Sequence, residues 1–354
     1  MLVQLFSLRF MRIGSRPTFL GRIAIGAILP SILLAQPAKT TMKAIVAHEY
    51  GGPEVLKYED VPRPEPNEDQ ILARVIAAGV NPVDAMIRSG MFAKSEKDVF
   101  PIIPGADISG VVEKAGSKIT KFKAGDPVFA YVSLKGGGGY AQYALATEHD
   151  TAAKPKSLTY VEAAAVPIVA LTAWQALIDA AKLGAGQTVL IHGGSGGVGS
   201  FAIQIAKARG AKVIATASST NQDLLKQLGA DVSIDYTKQR FEDIAKDVDV
   251  VLDSVGEDTL ARSYGVVKRG GFIVSLVARP DQAELDKHGI RGAALSVEPN
   301  SDELAEIGGL IDEKKIKVFV SQTFPLSNAA KAQEQVATGH TRGKIVLKVA
   351  DEPK

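Results

Sequence analysis

The sequence predicts an α/β chain in two parts, a compact β-rich part and a doubly wound parallel sheet, and three observations carry that prediction. From Met42 to about Pro167, short β-type runs alternate with turns dense in glycine and proline. After Pro167 the rhythm changes to strand, helix, strand, the alternation of a parallel sheet covered on both faces. Near the C-terminus, past a helical stretch at Asp302 to Glu313, β-type sequence returns at Lys317 to Phe324 and Lys344 to Val349, and this tail is expected to rejoin the first part.

In chain order, the first part shows β-type runs at Lys43 to Ala47, Ile71 to Ala78, Ile108 to Lys114 and Pro127 to Val132. Turns are expected at Gly51-Gly52-Pro53, Asn81-Pro82, Pro101 to Gly105 and Gly125-Asp126-Pro127, with Gly136 to Gly139 the most flexible stretch. In the second part, Thr188 to His192 is apolar and β-branched. Val198 to Arg209 repeats apolar residues at helical spacing and stops at Gly210, and Lys212 to Ala217 is a buried-type strand. Further strands are expected at Val232 to Ile234, Val248 to Leu252, Gly271 to Val277 and Ala293 to Val297.

The chain has 354 residues, 41 basic and 39 acidic, with 46% hydrophobic and 23% charged side chains. That composition excludes a disordered chain or a multi-span membrane protein, and it supplies no field for a polyanion, so nucleic acid is not an expected partner. With no cysteine, the chain forms no disulfide, thiolate nucleophile or cysteine zinc site. The first acidic residue is Glu49, whereas Arg9, Arg12, Arg16, Arg22 and Lys39 precede Met42. The apolar run Ile23 to Ala35, broken at Pro30 and Ser31, is too short for a bilayer span of about 20 residues. Residues 1–41 therefore read as a leader, and three readings stand side by side: a secretory signal, a mitochondrial transit peptide, or an upstream extension before a working start at Met42. Without its five cations the body has 36 basic against 39 acidic residues.

Chemistry concentrates at His192-Gly193-Gly194-Ser195-Gly196-Gly197-Val198-Gly199, which contains G-x-G-x-x-G as Gly194, Gly196 and Gly199. A lone match is weak, but this one follows a strand and opens a helix inside a βαβ unit, the context of a dinucleotide fingerprint. The glycines permit a tight turn and close approach of backbone to a pyrophosphate, whose charge the helix N-terminus stabilises. Gly194, Ser195, Gly196, Gly197, Val198 and Gly199 are the predicted cofactor contacts. Where an NAD enzyme usually places a carboxylate against the ribose diol, at the end of the second strand, this chain has Ala217-Ser218-Ser219-Thr220-Asn221. NADP(H) is therefore the expected cofactor, with Ser218 and Ser219 donating to the 2′-phosphate and Tyr236 or Lys226 reaching it from neighbouring elements. For Lys226 a solvated helix face is the favoured reading.

These residues resemble a known family. Gly186 to Gly199, followed by Gln204 and Lys207, is similar to the signature of quinone oxidoreductases of the ζ-crystallin type, in the medium-chain dehydrogenase/reductase superfamily. The resemblance runs from Met42 to about Val349 through Gly79-Val80-Asn81-Pro82-Val83-Asp84, Pro104-Gly105-Ala106-Asp107, Gly125 to Val128, Asp253 to Gly256 and Arg342 to Leu347. It implies a GroES-like catalytic domain at 42–166 and 315–354, a Rossmann NADP-binding domain at 167–314, and a homodimer. Zinc-dependent relatives carry Cys where this chain has Asn81 and His where it has Ala106. The five histidines show no close ligand spacing, so a metal-free enzyme is expected.

Without a Lewis acid worth several kcal/mol, simple alcohols are poor substrates. A quinone or an α,β-unsaturated carbonyl is easier, because hydrogen-bond donors can stabilise the oxyanion that hydride addition creates. By resemblance, Asn81 lies beside the nicotinamide and donates to the substrate oxygen, with an Asn-Pro turn former as the structural alternative. Thr172 contacts the nicotinamide, against the alternative of a helix residue bonding its own backbone. Tyr140 lines the substrate cleft or donates a proton, although an amphipathic core tyrosine fits it better. Lys344 matches a position near the cofactor, with a strand-edge lysine as the other reading. Relatives often carry tyrosine where this chain has Met86, which makes the cleft less polar and favours enones or alkenals. Alternative functions are an enoyl-thioester or alkenal double-bond reductase and a non-catalytic NADPH-binding protein. The loops Met91 to Phe100 and Lys135 to Tyr140 are expected to shape specificity, and the need for NADPH points to a cytoplasmic site for the catalytic body.

Overall fold

A two-stranded, a six-stranded and a seven-stranded sheet organise the chain, as a computed structural model shows for residues 41–93, 100–132 and 138–353. The leader up to residue 40 and most of the two specificity loops lie outside the described residues. Residues 39–354 belong to one compact unit.

The β-rich region begins with a hairpin, β1 (Thr41–Ala47) against β2 (Leu56–Pro62), in which Thr41 faces Pro62 and Ala47 faces Leu56. It continues through β3 (Ile71–Val80), β4 (Asp107–Ala115), β5 (Pro127–Tyr131), β6 (Tyr143–Ala146) and β7 (Thr151–Ala153). The second region carries β8 (Thr188–Ile191), β9 (Lys212–Ala217), β10 (Val232–Asp235), β11 (Val248–Asp253), β12 (Val267–Ser275) and β13 (Arg291–Ala294). Two strands close the chain, β14 (Val320–Pro325) and β15 (Lys344–Lys348).

β8 to β13 form a six-stranded, wholly parallel sheet in the order β10-β9-β8-β11-β12-β13. That order reverses direction between β8 and β11, which opens a crevice at their carboxyl ends, where ligands bind in such sheets. Strands buried on both faces need apolar residues at consecutive positions, and β8 supplies them. Val189 and Ile191 pack with Phe201, Ile205 and Ala215, while Leu190 joins Ile234, Val251 and Ile273 on the other face.

The largest sheet has seven strands, ordered β14-β15-β3-β4-β5-β7 with β6 also on β3. β15 runs antiparallel to β3, setting Ile345 opposite Val80 and Val346 opposite Gly79. This pairing brings Lys344, at the start of β15, to the end of β3, where Asn81 opens the helix Pro82–Arg88 with proline at its first turn. β12 starts four residues before the expected Gly271, because the polar segment Lys268-Arg269-Gly270 extends the strand beyond its apolar run. β13 sits earlier than expected, at Arg291–Ala294, its register set by the pairing of Phe272 with Arg291.

Candidate active site

A cleft of about 680 Å³ is lined by the glycine-rich turn, the ends of β9 and β11, Asn81, and the segment from Val336 to Ile345. The turn follows β8 directly and ends in the helix Gly197–Ala208, whose first-turn N–H groups have no intrahelical partner and face an incoming anion. Gly193 takes φ +70°, where a side chain would be strained. A Cβ on Gly199 would fall 2.2 Å from the Gly193 carbonyl oxygen, so glycine is what lets helix and turn approach. At Gly196 the nearest atom to such a Cβ is the same oxygen at 3.4 Å, and the space above the turn is open. This cradle fits a dinucleotide pyrophosphate.

The turn is tied from both sides. Gly194 N–H donates to the Thr216 carbonyl at 2.9 Å, and Gly343 N–H donates to the Ser195 carbonyl at 2.9 Å. Ser195, Gly196, Gly197, Val198 and Gly199 line the cleft, while Gly194 lies beneath it, packed toward Leu225, Ala215 and Ile203. His192 anchors the base of the turn, with Nδ1 3.2 Å from Thr216 Oγ1 and Nε2 3.1 Å from Ser263 Oγ. Burial drives its pKa down to about 4, so the ring is neutral at physiological pH.

At the expected ribose end, Ser218 and Tyr236 line the cleft together with Thr220 and Asn221. Ser219 is a correction. Its hydroxyl donates to Asp235 Oδ2 at 2.5 Å and lies 3.0 Å from Thr237 Oγ1, and the residue does not line the cleft. Hydrogen bonds from Ser219 and Thr237 hold the Asp235 carboxyl down at about 2. Lys226 is exposed on its helix and also stays out of the cleft.

The opposite wall contains a buried polar cluster. Asp107 is fully buried; its Oδ1 accepts the Ile168 N–H at 2.8 Å, and its Oδ2 accepts Asn81 Nδ2 at 2.9 Å and Lys344 Nζ at 3.3 Å. Lys344 Nζ also donates to the Val80 carbonyl at 3.0 Å and to Asn81 Oδ1. Asp84, likewise fully buried, accepts the Asn81 backbone N–H and the Tyr140 hydroxyl, both at 2.8 Å. Burial is the main reason its carboxyl rises to about 6.

Two expectations for this wall need correcting, those for Thr172 and Met86, and of the readings given for Tyr140 the core one holds while the cleft-lining one is corrected. Tyr140 has no exposed surface and does not line the cleft, because its hydroxyl is spent inside the core on Asp84; burial and that carboxylate raise it well above the usual phenol range. Thr172 is also outside the lining, its hydroxyl bonding back to the Ile168 carbonyl at 2.7 Å; Val169, one turn earlier in the helix Pro167–Trp174, reaches the cleft instead. Met86 is half-buried and away from the cleft wall, so it does not make that wall less polar. Asn81 and Lys344 do line the cleft. Asp84 and Asp107 enter the sequence analysis only within motifs; the sequence signal each carries is a lone carboxylate between apolar neighbours, Val83-Asp84-Ala85 and Ala106-Asp107-Ile108.

Among the described residues, no group of three or more His, Cys, Asp or Glu could hold a metal ion, and the residues at Asn81 and Ala106 do not fit zinc. No helix there is long and apolar enough to cross a membrane.

Comparison with known proteins agrees with this architecture. Residues 67–156 match the alcohol dehydrogenase GroES-like domain and residues 228–347 a family described as zinc-binding dehydrogenase. The chain is 39% identical over 317 residues to the NADPH-dependent alkenal/one oxidoreductase, chloroplastic, of Arabidopsis thaliana, covering 86% of this chain and 79% of that protein. It is 37% identical over 327 residues to the quinone oxidoreductase of Mus musculus, covering 86% and 97%. Among solved structures, the quinone oxidoreductase from Coxiella burnetii superposes with a TM-score of 0.81 at 39% identity, covering 87% of this chain and 99% of that one.

Proposed function

The chain belongs to the medium-chain dehydrogenase/reductase superfamily, among its quinone and alkenal/one oxidoreductases, and from that premise we propose an NADPH-dependent, zinc-independent reductase of quinones and α,β-unsaturated carbonyls. The observation that carries this reading is the cleft itself, with a glycine cradle on one wall and an amide donor, Asn81, on the other.

NADPH, when bound, supplies the hydride. The residues from Ser195 to Gly199 hold its pyrophosphate, and Ser218, Thr220, Asn221 and Tyr236 surround the ribose end with neutral donors. β9 itself ends without a carboxylate to repel a 2′-phosphate, and the neighbouring Asp235 is engaged by Ser219 and Thr237. Asn81 serves the reacting carbonyl. Its Oδ1 accepts from Lys344 and one Nδ2 hydrogen goes to Asp107, which leaves the second amide hydrogen for a substrate oxygen. That donor strengthens as negative charge gathers on the oxygen, which is the condition for lowering a barrier rather than tightening substrate. The division into a catalytic domain at 42–166 and 315–354 around a cofactor domain at 167–314 belongs to the same reading. So do the homodimer and the cytoplasmic location, which rest on the resemblance and on the supply of NADPH.

The test is NADPH oxidation by the purified protein, with EDTA present, against a 1,4-quinone and an acyclic enone. Turnover of either, weak activity with NADH and indifference to EDTA support the reading, and the rate ratio gives the substrate preference. Tight NADPH binding without turnover of either would leave a binding protein; loss of activity in EDTA would return a metal to the mechanism.

A further inference from the structure

Lys344 lines the cofactor cleft, yet its ammonium is fully engaged elsewhere. An ammonium carries three hydrogens. The structure gives them three acceptors: the Val80 carbonyl, Asn81 Oδ1 and Asp107 Oδ2. With only 4% of its surface exposed, Lys344 has no hydrogen left for a phosphate or a substrate unless one of these bonds breaks. Its partner Asp107 is equally committed, holding the Ile168 N–H in the first turn of the helix Pro167–Trp174, whose own N-cap, Val166, offers no side-chain acceptor. One buried ion pair thus ties together three pieces of the cleft wall: the end of β3, the start of β15 and the helix that presents Val169.

Asn81 sits where these ties meet. A free asparagine amide can flip, exchanging its oxygen for its NH2 group. Here a cation faces the oxygen and an anion faces the nitrogen, so the flipped state would set Nδ2 against an ammonium and Oδ1 against a carboxylate. Lys344 also polarises the amide, since donation into its oxygen makes its N–H a stronger donor. We propose that Lys344 and Asp107 are positioning residues that fix the orientation of the Asn81 amide for the carbonyl oxygen being reduced, that Lys344 also polarises it, and that Lys344 is not a cofactor ligand. This rests on the reductase reading and on the role given there to Asn81.

The experiment is a double-mutant cycle on Asn81→Ala and Lys344→Met, with kcat from steady-state turnover and the NADPH dissociation constant from nicotinamide fluorescence. Removing one oxyanion donor costs about 10²–10³ in kcat. Lys344→Met is expected to lower kcat by at least about tenfold while leaving NADPH affinity within about threefold, and to cost little more once Asn81 is already alanine. Lys344→Gln, which keeps a donor of similar reach, should recover part of the rate, and it replaces the methionine variant if that one does not fold. NADPH affinity falling in parallel with kcat would make Lys344 a cofactor ligand and overturn the proposal, as would additive losses or an Asn81→Ala enzyme of unchanged kcat. A wild-type protein that turns over no quinone or enone sinks the reductase reading instead, while the affinity arm still reports whether Lys344 touches the cofactor.

Discussion

Asp107 and Lys344 lie 237 residues apart in the chain, yet their side chains meet 3.3 Å apart with essentially no exposure to solvent. A buried pair of this kind gives little net stability against an apolar pair of the same shape, but removing one partner strands the other charge in low dielectric, at a cost of about 3–5 kcal/mol. Lys344→Met should therefore lower the urea unfolding free energy by that order. Asp107→Asn should lower it too, since the ammonium loses its counter-charge. The double variant should be more stable than the sum of the two losses implies. Additive losses in urea titrations of all three variants would show that the pair does not act as a unit.

Asp84 and His192 make opposite contributions to stability as pH changes. The Asp84 carboxyl is raised in the fold from 3.8 to about 6, so its contribution is full below about 4 and is lost as pH rises through 6. The His192 imidazole is lowered from 6.5 to about 4, so its contribution is full above 6.5 and is lost as pH falls toward 4. Each gap is worth about 3 kcal/mol, and the two largely offset one another between pH 4 and 6. Asp84→Asn keeps an oxygen for the Asn81 N–H and the Tyr140 hydroxyl while removing the buried charge. Its Tm should exceed that of the wild type at pH 8 by a few degrees, and the difference should vanish by pH 4. A Tm difference independent of pH would mean that Asp84 does not titrate in this range.

The parts of the site readable in the sequence are those whose partners are local. Gly193 to Gly199 announces itself because the turn, the helix start and the close approach are all settled within a few residues. Asn81 and Lys344 could be placed at the cleft only by resemblance, since it is the pairing of β15 with β3 that brings them together. Ser219 shows the converse: its hydroxyl looked free for a phosphate, but the parallel pairing of β10 with β9 sets Asp235 opposite Ala217, and that carboxylate captures it. Thr172 misled for a similar reason, whereas the core reading favoured for Tyr140 holds. Residue type marks a hydroxyl, but only the packing decides whether it meets solvent, its own helix or a buried acid.

Cofactor choice follows from what is absent at the end of β9. Ser218 is half-buried at the cleft edge, and its hydroxyl is 3.2 Å from both Thr220 Oγ1 and Asn221 Nδ2, a cluster of neutral donors. Ser218→Asp places a carboxylate where a 2′-phosphate would lie. Like charges a few ångströms apart at a protein surface repel by a few kcal/mol, so kcat/KM for NADPH should fall at least about tenfold. NADH, whose ribose diol can donate to that carboxylate, should lose little or gain. Equal losses with both cofactors would argue against this end of the cleft as the phosphate site.

Two glycines of the turn should respond differently to the same added methyl group. Gly196 has φ −78°, an ordinary backbone conformation, and a Cβ there meets nothing closer than 3.4 Å, so Gly196→Ala should fold with nearly unchanged Tm. The methyl would nevertheless stand in the open space into which a pyrophosphate must descend, and NADPH affinity should fall by about tenfold or more. At Gly199 the added Cβ would lie 2.2 Å from a backbone oxygen, and neither helix nor turn can give way cheaply, so Gly199→Ala should lose stability and affinity together. Thermal melts with and without NADPH separate the cases. Gly196→Ala should keep the melting temperature of the free protein and lose much of the upward shift that the cofactor gives the wild type. If Gly196→Ala retained the full shift, the cofactor would have to lie elsewhere in the cleft than against this turn.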